Sequence, residues 1–271
     1  MENTKETLSS NTLFHFTSSA DNLIDVLERG FLPRYCLENF SMFDFGISGI
    51  ELGISNKEYE LELAVPMVCF CDIPLSKVKH HISFYGNYGI GLSKTWGISN
   101  GISPILYVDS NSETTKSIQD AILYLSEFPF KQDEELSNAA LLRLYRLVRF
   151  IKPYSGKFWR KNNYIENVRF YDEREWRFVP DIAPNEDGLF PWVKKDDFLN
   201  QMRKATLNKV LSEKFSLQFS ADAIRYIIVE EEDHISDIID ALNKKFGKLD
   251  PKILKKLSSR VISLSQIIDD F

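Results

Sequence analysis

Cysteine is scarce in this chain, and long apolar runs are missing from it. Cys36, Cys69 and Cys71 are the three cysteines, an odd number that argues against a disulfide framework and suits a reducing compartment. No apolar run approaches the roughly 18 residues that a membrane-spanning helix requires, so a transmembrane reading fails. The opening stretch MENTKETLSSN is polar and mixed in charge, without the apolar core of a secretory signal. These absences point to a cytoplasmic protein with no membrane partner. Internal repeats, low-complexity tracts and Pro/Gly-rich linkers are missing as well. The 271 residues are therefore expected to share one large core.

Each sign of charge is depleted somewhere. Residues 1–75 carry four basic side chains, Lys5, Arg29, Arg34 and Lys57, against twelve acidic ones. From Leu136 to Ile165 no acidic residue occurs, while Arg143, Arg146, Arg149, Lys152, Lys157, Arg160 and Lys161 are basic. A net charge of −6 rules out a general nucleic-acid coat, but such a segment can hold a phosphate or a single strand locally. A solvated helix face is the plainer account of the run.

Periodicity and turn residues outline the elements. TLFHFT reads as a short strand. SSADNLIDVLERG reads as a helix capped by Ser18, Ser19 or Asp21, with Leu23, Val26 and Leu27 on one face and Gly30 at its end. FLPRYCLENFSMFDFGISGIELG has many aromatics but no steady period, and reads as a packed loop. MVCFCDI is a strand, Pro74 opens a helix running to about Tyr85, and YGIGLS and SPILYVD are the next strands. Residues 112–151 look helical with a break near Pro129, since Leu141, Leu144, Tyr145, Val148 and Ile151 recur at helical spacing. EREWRFVP and AIRYIIVEE are strands, followed by helices over 233–246 and 251–257 and a last strand, RVISL. Strands and helices out of strict alternation indicate a single α+β domain.

Four groups of residues invite a chemical reading. Cys69 and Cys71 share one strand face, and His80 and His81 follow. Cys-x-Cys lacks zinc spacing, and adjacent helical histidines point about 100° apart. Two buried strand cysteines account for the pair better, and no metal is expected. Gly86, Gly89 and Gly91 do not follow the dinucleotide-binding order. They suit a tight helix-to-strand corner or, alternatively, a floor for a flat ligand stacked on Tyr85 or Tyr88. His15 and Thr17 share one face of the first strand; the pair can bond a ribose, although a lone strand histidine is more often a satisfied core residue. Glu173 and Glu175 fall on one face of their strand, either as a solvated edge or as an acid/base or oxocarbenium-stabilising pair.

Taken together, LFHFTSSADNLIDVLERGFLPRYC, VPMVCFCDIPLSKVKHHISFYGNYGIGLSKTWGI and YDEREWRFVP resemble the AbiGi family of abortive phage-infection proteins over most of residues 12–180. The order of the motifs is also similar to that of ADP-ribosyltransferase-like domains of the histidine type. That resemblance implies an α+β fold with a split mixed β-sheet core and surrounding helices, spanning 1–271 with a helical insertion at about 112–165. It implies NAD as a substrate and no metal. His15 and Thr17 would bind the ribose and nicotinamide side, and Tyr85 or Tyr88 would stack on the nicotinamide. Glu175 would stabilise the oxocarbenium ion, with Glu173 activating the acceptor, and such chemistry needs a carboxylate rather than a metal. Arg34 or the region of Lys94 could meet the pyrophosphate. The acceptor would be a protein or a nucleic acid, the latter held through Arg143, Arg146 and Arg149. The AbiGi resemblance carries an alternative: a non-catalytic, antitoxin-like component paired with a cognate nucleotidyltransferase-like toxin.

Overall fold

The computed structural model describes residues 10–43, 61–127, 134–160, 163–183 and 187–270. The break expected near Pro129, Lys161, and the part of the aromatic stretch from 44 to 53 lie outside the described residues. In chain order the strands are β1 (Thr12–Thr17), β2 (Arg34–Asn39), β3 (Glu62–Cys71), β4 (Tyr88–Ser93), β5 (Ser103–Pro104), β6 (Leu106–Val108), β7 (Ile151–Pro153), β8 (Gly156–Arg160), β9 (Asn163–Val168), β10 (Glu175–Phe178), β11 (Val193–Lys194), β12 (Ile224–Val229) and β13 (Val261–Ser263).

The expected α+β class holds, with a central mixed sheet in the order β13-β12-β4-β1-β3-β10-β5. The β12–β13 pair is parallel and the other pairs of this sheet are antiparallel. β3 is the hub. Its first half pairs with β2 and β11, and its second half with β1 and β10. Nine of its ten residues are buried, because apolar layers cover both of its faces, and that is why its sequence shows no alternation.

On one face, Leu13, His15 and Thr17 of β1 stand opposite Leu92, Ile90 and Tyr88 of β4. The helices Ala20–Arg29 and Ile235–Phe246 cover this layer through Leu23, Leu27, Ile238 and Leu242. The first helix starts where Ser19 accepts a hydrogen bond from the Asn22 N–H and ends at Gly30, whose φ of 83° suits glycine. On the other face, Phe14 and Phe16 pack with Cys71 and with Val78 and Ile82 of the helix Val78–Tyr85. Gly89 and Gly91 fall under these two rings: a Cβ at Gly91 would lie 2.7 Å from Phe14 Cε1. The glycine-rich strand thus makes room for the chain's own phenylalanines rather than for a flat ligand.

Three differences from the sequence reading have local causes. The packed loop expected after Gly30 contains β2, which lacks a clean apolar alternation because Glu38 points inward to an arginine. The block 112–165 is helical only as far as Val148, in the helices Glu113–Glu127 and Glu134–Val148. Beyond that come β7 and the hairpin β8–β9, which forms a separate two-stranded sheet among the described residues. Finally, Glu173 is not on a strand. It closes a 3-10 turn, Phe170–Glu173, and Arg174 takes a left-handed φ of 47° before β10 begins at Glu175.

Candidate functional site

The most concentrated chemistry is a buried ionic cluster on the Phe14/Cys71 face of the sheet. Glu175 and Arg177 are two residues apart on β10, so they share a face. Arg177 Nε donates to Glu175 Oε1 at 2.6 Å, and Nη2 to Glu175 Oε2 at 3.2 Å. The same guanidinium reaches Glu38 Oε2 of β2 at 2.9 Å and the Arg149 carbonyl at 2.9 Å. β7 delivers the second cation: Lys152 Nζ lies 2.8 Å from Glu173 Oε2 and 3.1 Å from Glu175 Oε2. Its ammonium also sits 4.4 Å from the centre of the Phe170 ring. Arg177 has no exposed side-chain surface, and Glu175 has 6%.

Their surroundings shift the two carboxyls in opposite directions. Burial pushes the Glu173 carboxyl up, and the nearby Lys152 only partly opposes that. Burial would raise Glu175 too, but Arg177 and Lys152 override it and hold this carboxyl well below the ordinary range. Tyr85 Oη donates to Glu173 Oε1 at 2.6 Å, and burial followed by that carboxylate raises the phenol pKa far above its usual value. His81 stacks on Tyr85 with centroids 4.4 Å apart, and the Arg160 guanidinium lies 4.9 Å from the centre of the Tyr85 ring. The Tyr107 hydroxyl accepts the Glu175 N–H at 2.9 Å.

The expected residues do not converge on one pocket. Glu173, Glu175 and Tyr85 come together on this face, whereas His15, Thr17 and Tyr88 stand on the opposite one. The reason is register: Phe14, not His15, aligns with Cys71, which aligns in turn with Glu175. The His15 ring is enclosed by Phe31 and Phe70, and its Nδ1 is 2.8 Å from the Cys69 carbonyl oxygen. Burial lowers its pKa, so it behaves as a satisfied core histidine. Thr17 ends β1, where its carbonyl closely approaches Gly86. Tyr88 is buried, with its hydroxyl 3.2 Å from His234 Nδ1. Arg34 is exposed at the start of β2. Lys94 is engaged by Asp72 at 2.8 Å.

Cys69 and Cys71 share the face of Glu175, and burial raises both thiols well above their ordinary range. Among the described residues no group of three or more His, Cys, Asp or Glu side chains is placed to hold a metal ion. The basic run is not an open stripe. Arg149 is buried and donates to the Pro180 carbonyl at 3.3 Å, and Arg146 pairs with Asp181 at 2.9 Å. Of the three arginines expected to meet nucleic acid, Arg143 is exposed and has no such partner among the described residues.

Sequence reasoning missed Lys152, Arg177 and Glu38 as members of the cluster. Arg177 was within reach, because a residue two positions after Glu175 on a strand must share its face. Lys152 and Glu38 come from distant elements and carry no local signal.

The family model described as "abortive phage resistance protein AbiGi, antitoxin" matches residues 29–230. The chain belongs to the AbiGi family. The abortive phage resistance protein AbiGi of Lactococcus lactis subsp. cremoris is 34% identical over 257 residues, covering 89% of this chain and 99% of that one. No solved structure matches the chain. The family-model match spans the whole ionic cluster, from Glu38 to Arg177, and begins after His15 and Thr17.

Proposed function

We propose that this AbiGi protein is the antitoxin of an abortive infection system, acting by binding a toxin, with its buried ionic cluster serving to hold the sheet together. The description of the family as an antitoxin supports the reading. The observation that carries it is the state of Glu175. Both of its oxygens already accept from Arg177 and Lys152, and the sheet separates it from His15 and Thr17. A carboxylate stabilising an oxocarbenium ion must face the sugar as charge develops there. Glu175 faces two cations instead.

The cluster's composition suits a structural role. Glu38, Lys152, Glu173, Glu175 and Arg177 tie β2, β7, the turn before β10 and β10 itself to one another. Removing one member leaves its neighbours short of a partner in a buried site.

Co-expression with the cognate nucleotidyltransferase-like toxin tests the proposal. The wild type and Thr17→Val should restore growth equally, and a pull-down should recover the toxin with both. Growth rescue that Thr17→Val abolishes while the variant stays folded would instead support an NAD-using enzyme.

A further inference from the structure

A second basic segment, outside the site above, differs from the first in being open. Between Lys244 and Arg260 seven basic side chains stand against one acidic residue, Asp250, in a chain whose net charge is −6. Asp250 caps the helix Pro251–Ser258, its Oδ1 accepting the Lys252 N–H at 2.8 Å, and Pro251 opens the first turn. Leu257 is buried and Leu254 packs against the same core. Lys252, Lys255 and Lys256 therefore fall on the opposite side of the helix, all three exposed, with exposed Lys248 in the turn before it.

The cations of this segment divide into two sets. Lys244 pairs with Glu28 at 2.7 Å, Lys245 lies over the Phe219 ring, and Arg260 donates to the Ile224 carbonyl. Lys248, Lys252, Lys255 and Lys256 make no ion pair or side-chain hydrogen bond with the described residues. Arg225 stands beside Arg260, whose pKa is lowered first by burial and then by that neighbour. No acidic residue lies within the helix itself.

We propose that the exposed lysine face of the helix Pro251–Ser258, with Lys248, binds the phosphate backbone of duplex DNA without reading its sequence. The choice of partner follows from the side chains. Lysine is a compact, strongly hydrated cation that binds phosphate as a point charge without bidentate geometry, and it is depleted at protein–protein interfaces. Protein partners are anchored by aromatic side chains and arginines, and no aromatic stands among these lysines. Single strands are bound by stacking on such rings. The hydroxyls of Ser258 and Ser259 donate to the Leu254 and Lys256 carbonyls, so neither has its proton left for a ribose 2′-OH. Lys252 and Lys256 are one turn apart, about 6 Å along the helix axis, on one rigid element.

The test uses the full chain and a 30-base-pair duplex DNA of mixed sequence, with anisotropy measured across 50–200 mM KCl. Each phosphate contact contributes about −0.9 to the slope of log K against log salt, so four lysines give about −3.6 and a weakening of about 150-fold over that range. The variant Lys252→Gln/Lys255→Gln/Lys256→Gln should fold as the wild type does by circular dichroism and keep a slope of about −0.9. Arg143→Gln, in the other basic run, should leave the slope unchanged. Absence of wild-type binding at 50 mM KCl would overturn the proposal, as would a slope the triple variant does not alter. Tighter binding of a poly-glutamate peptide than of the duplex would assign the face to an acidic protein. Tighter binding of single-stranded DNA or duplex RNA would likewise refute duplex DNA as its partner.

Discussion

Replacing Lys152 by Met removes the charge that stands between two buried carboxylates while keeping most of the side chain's volume. The ammonium is 2.8 Å from Glu173 and 3.1 Å from Glu175, and only 7% of the side chain is exposed. A methionine can still pack against Phe158 and Phe170, which flank the lysine now. Glu175 keeps Arg177, while Glu173 keeps the Tyr85 hydroxyl. Breaking a buried pair by deleting one partner costs about 3–5 kcal/mol, and the expected loss at pH 7 lies in that range. The loss must also depend on pH. The Glu173 pKa is already raised by burial, and losing the lysine removes the largest influence that opposes that rise. A raised folded-state pKa means that the native protein binds a proton more tightly than the unfolded chain, so stability grows as pH falls through that pKa. The gap between variant and wild type should therefore narrow from pH 7 to pH 5, and adding Glu173→Gln should recover much of it at pH 7. Urea unfolding followed by tryptophan fluorescence measures both effects. A loss under about 1 kcal/mol at pH 7, the range of an exposed pair, would refute the account of the cluster, as would a loss identical at both pH values.

Other consequences are local. Gly91→Ala would place a methyl 2.7 Å from both Phe14 Cε1 and Thr12 Cγ2, and overpacking of this kind should cost about 1–3 kcal/mol; an unchanged melting temperature would show that the ring has room to move. Tyr164 Oη donates to Glu62 and accepts from Lys195 at 2.8 Å. Tyr164→Phe should cost about 1.5–3 kcal/mol as a hydrogen bond to a charged group is lost, read in the same urea titration. Ser19→Ala removes the cap of the first helix and should cost about 1 kcal/mol, with early hydrogen exchange confined to that helix's first turn.

Much of the chain order was legible because its signals are local. TLFHFT, the helix from Ser19 to Gly30, the glycine-bearing β4, β12 and the two helices before β13 all appear as the sequence indicates. The candidate site was half legible. Glu173, Glu175 and Tyr85 do meet, but the placing of His15 beside them failed because it depends on which residue of β1 aligns with Cys71. One step of register exchanges the faces, and nothing in FHFT fixes that step. The basic run misled for a related reason. Charge in a sequence carries no sign of whether it is spent inside, as Lys152 and Arg149 are, or on a surface partner, as Arg146 is on Asp181. The lysines from 248 to 256 were readable as an open face, since the helix around them holds leucines on the other side and no acid.

The central claim, that Glu175 holds the sheet together and does not cleave NAD, is tested most directly by nicotinamide release. Pure wild-type protein incubated with NAD is expected to release none above the rate without protein. Glu175→Gln would leave Arg177 buried with its main partner neutralised, and should lower stability by about 3–5 kcal/mol. Nicotinamide release by the wild type, lost in a Glu175→Gln protein that unfolds at the same urea concentration, would contradict the account.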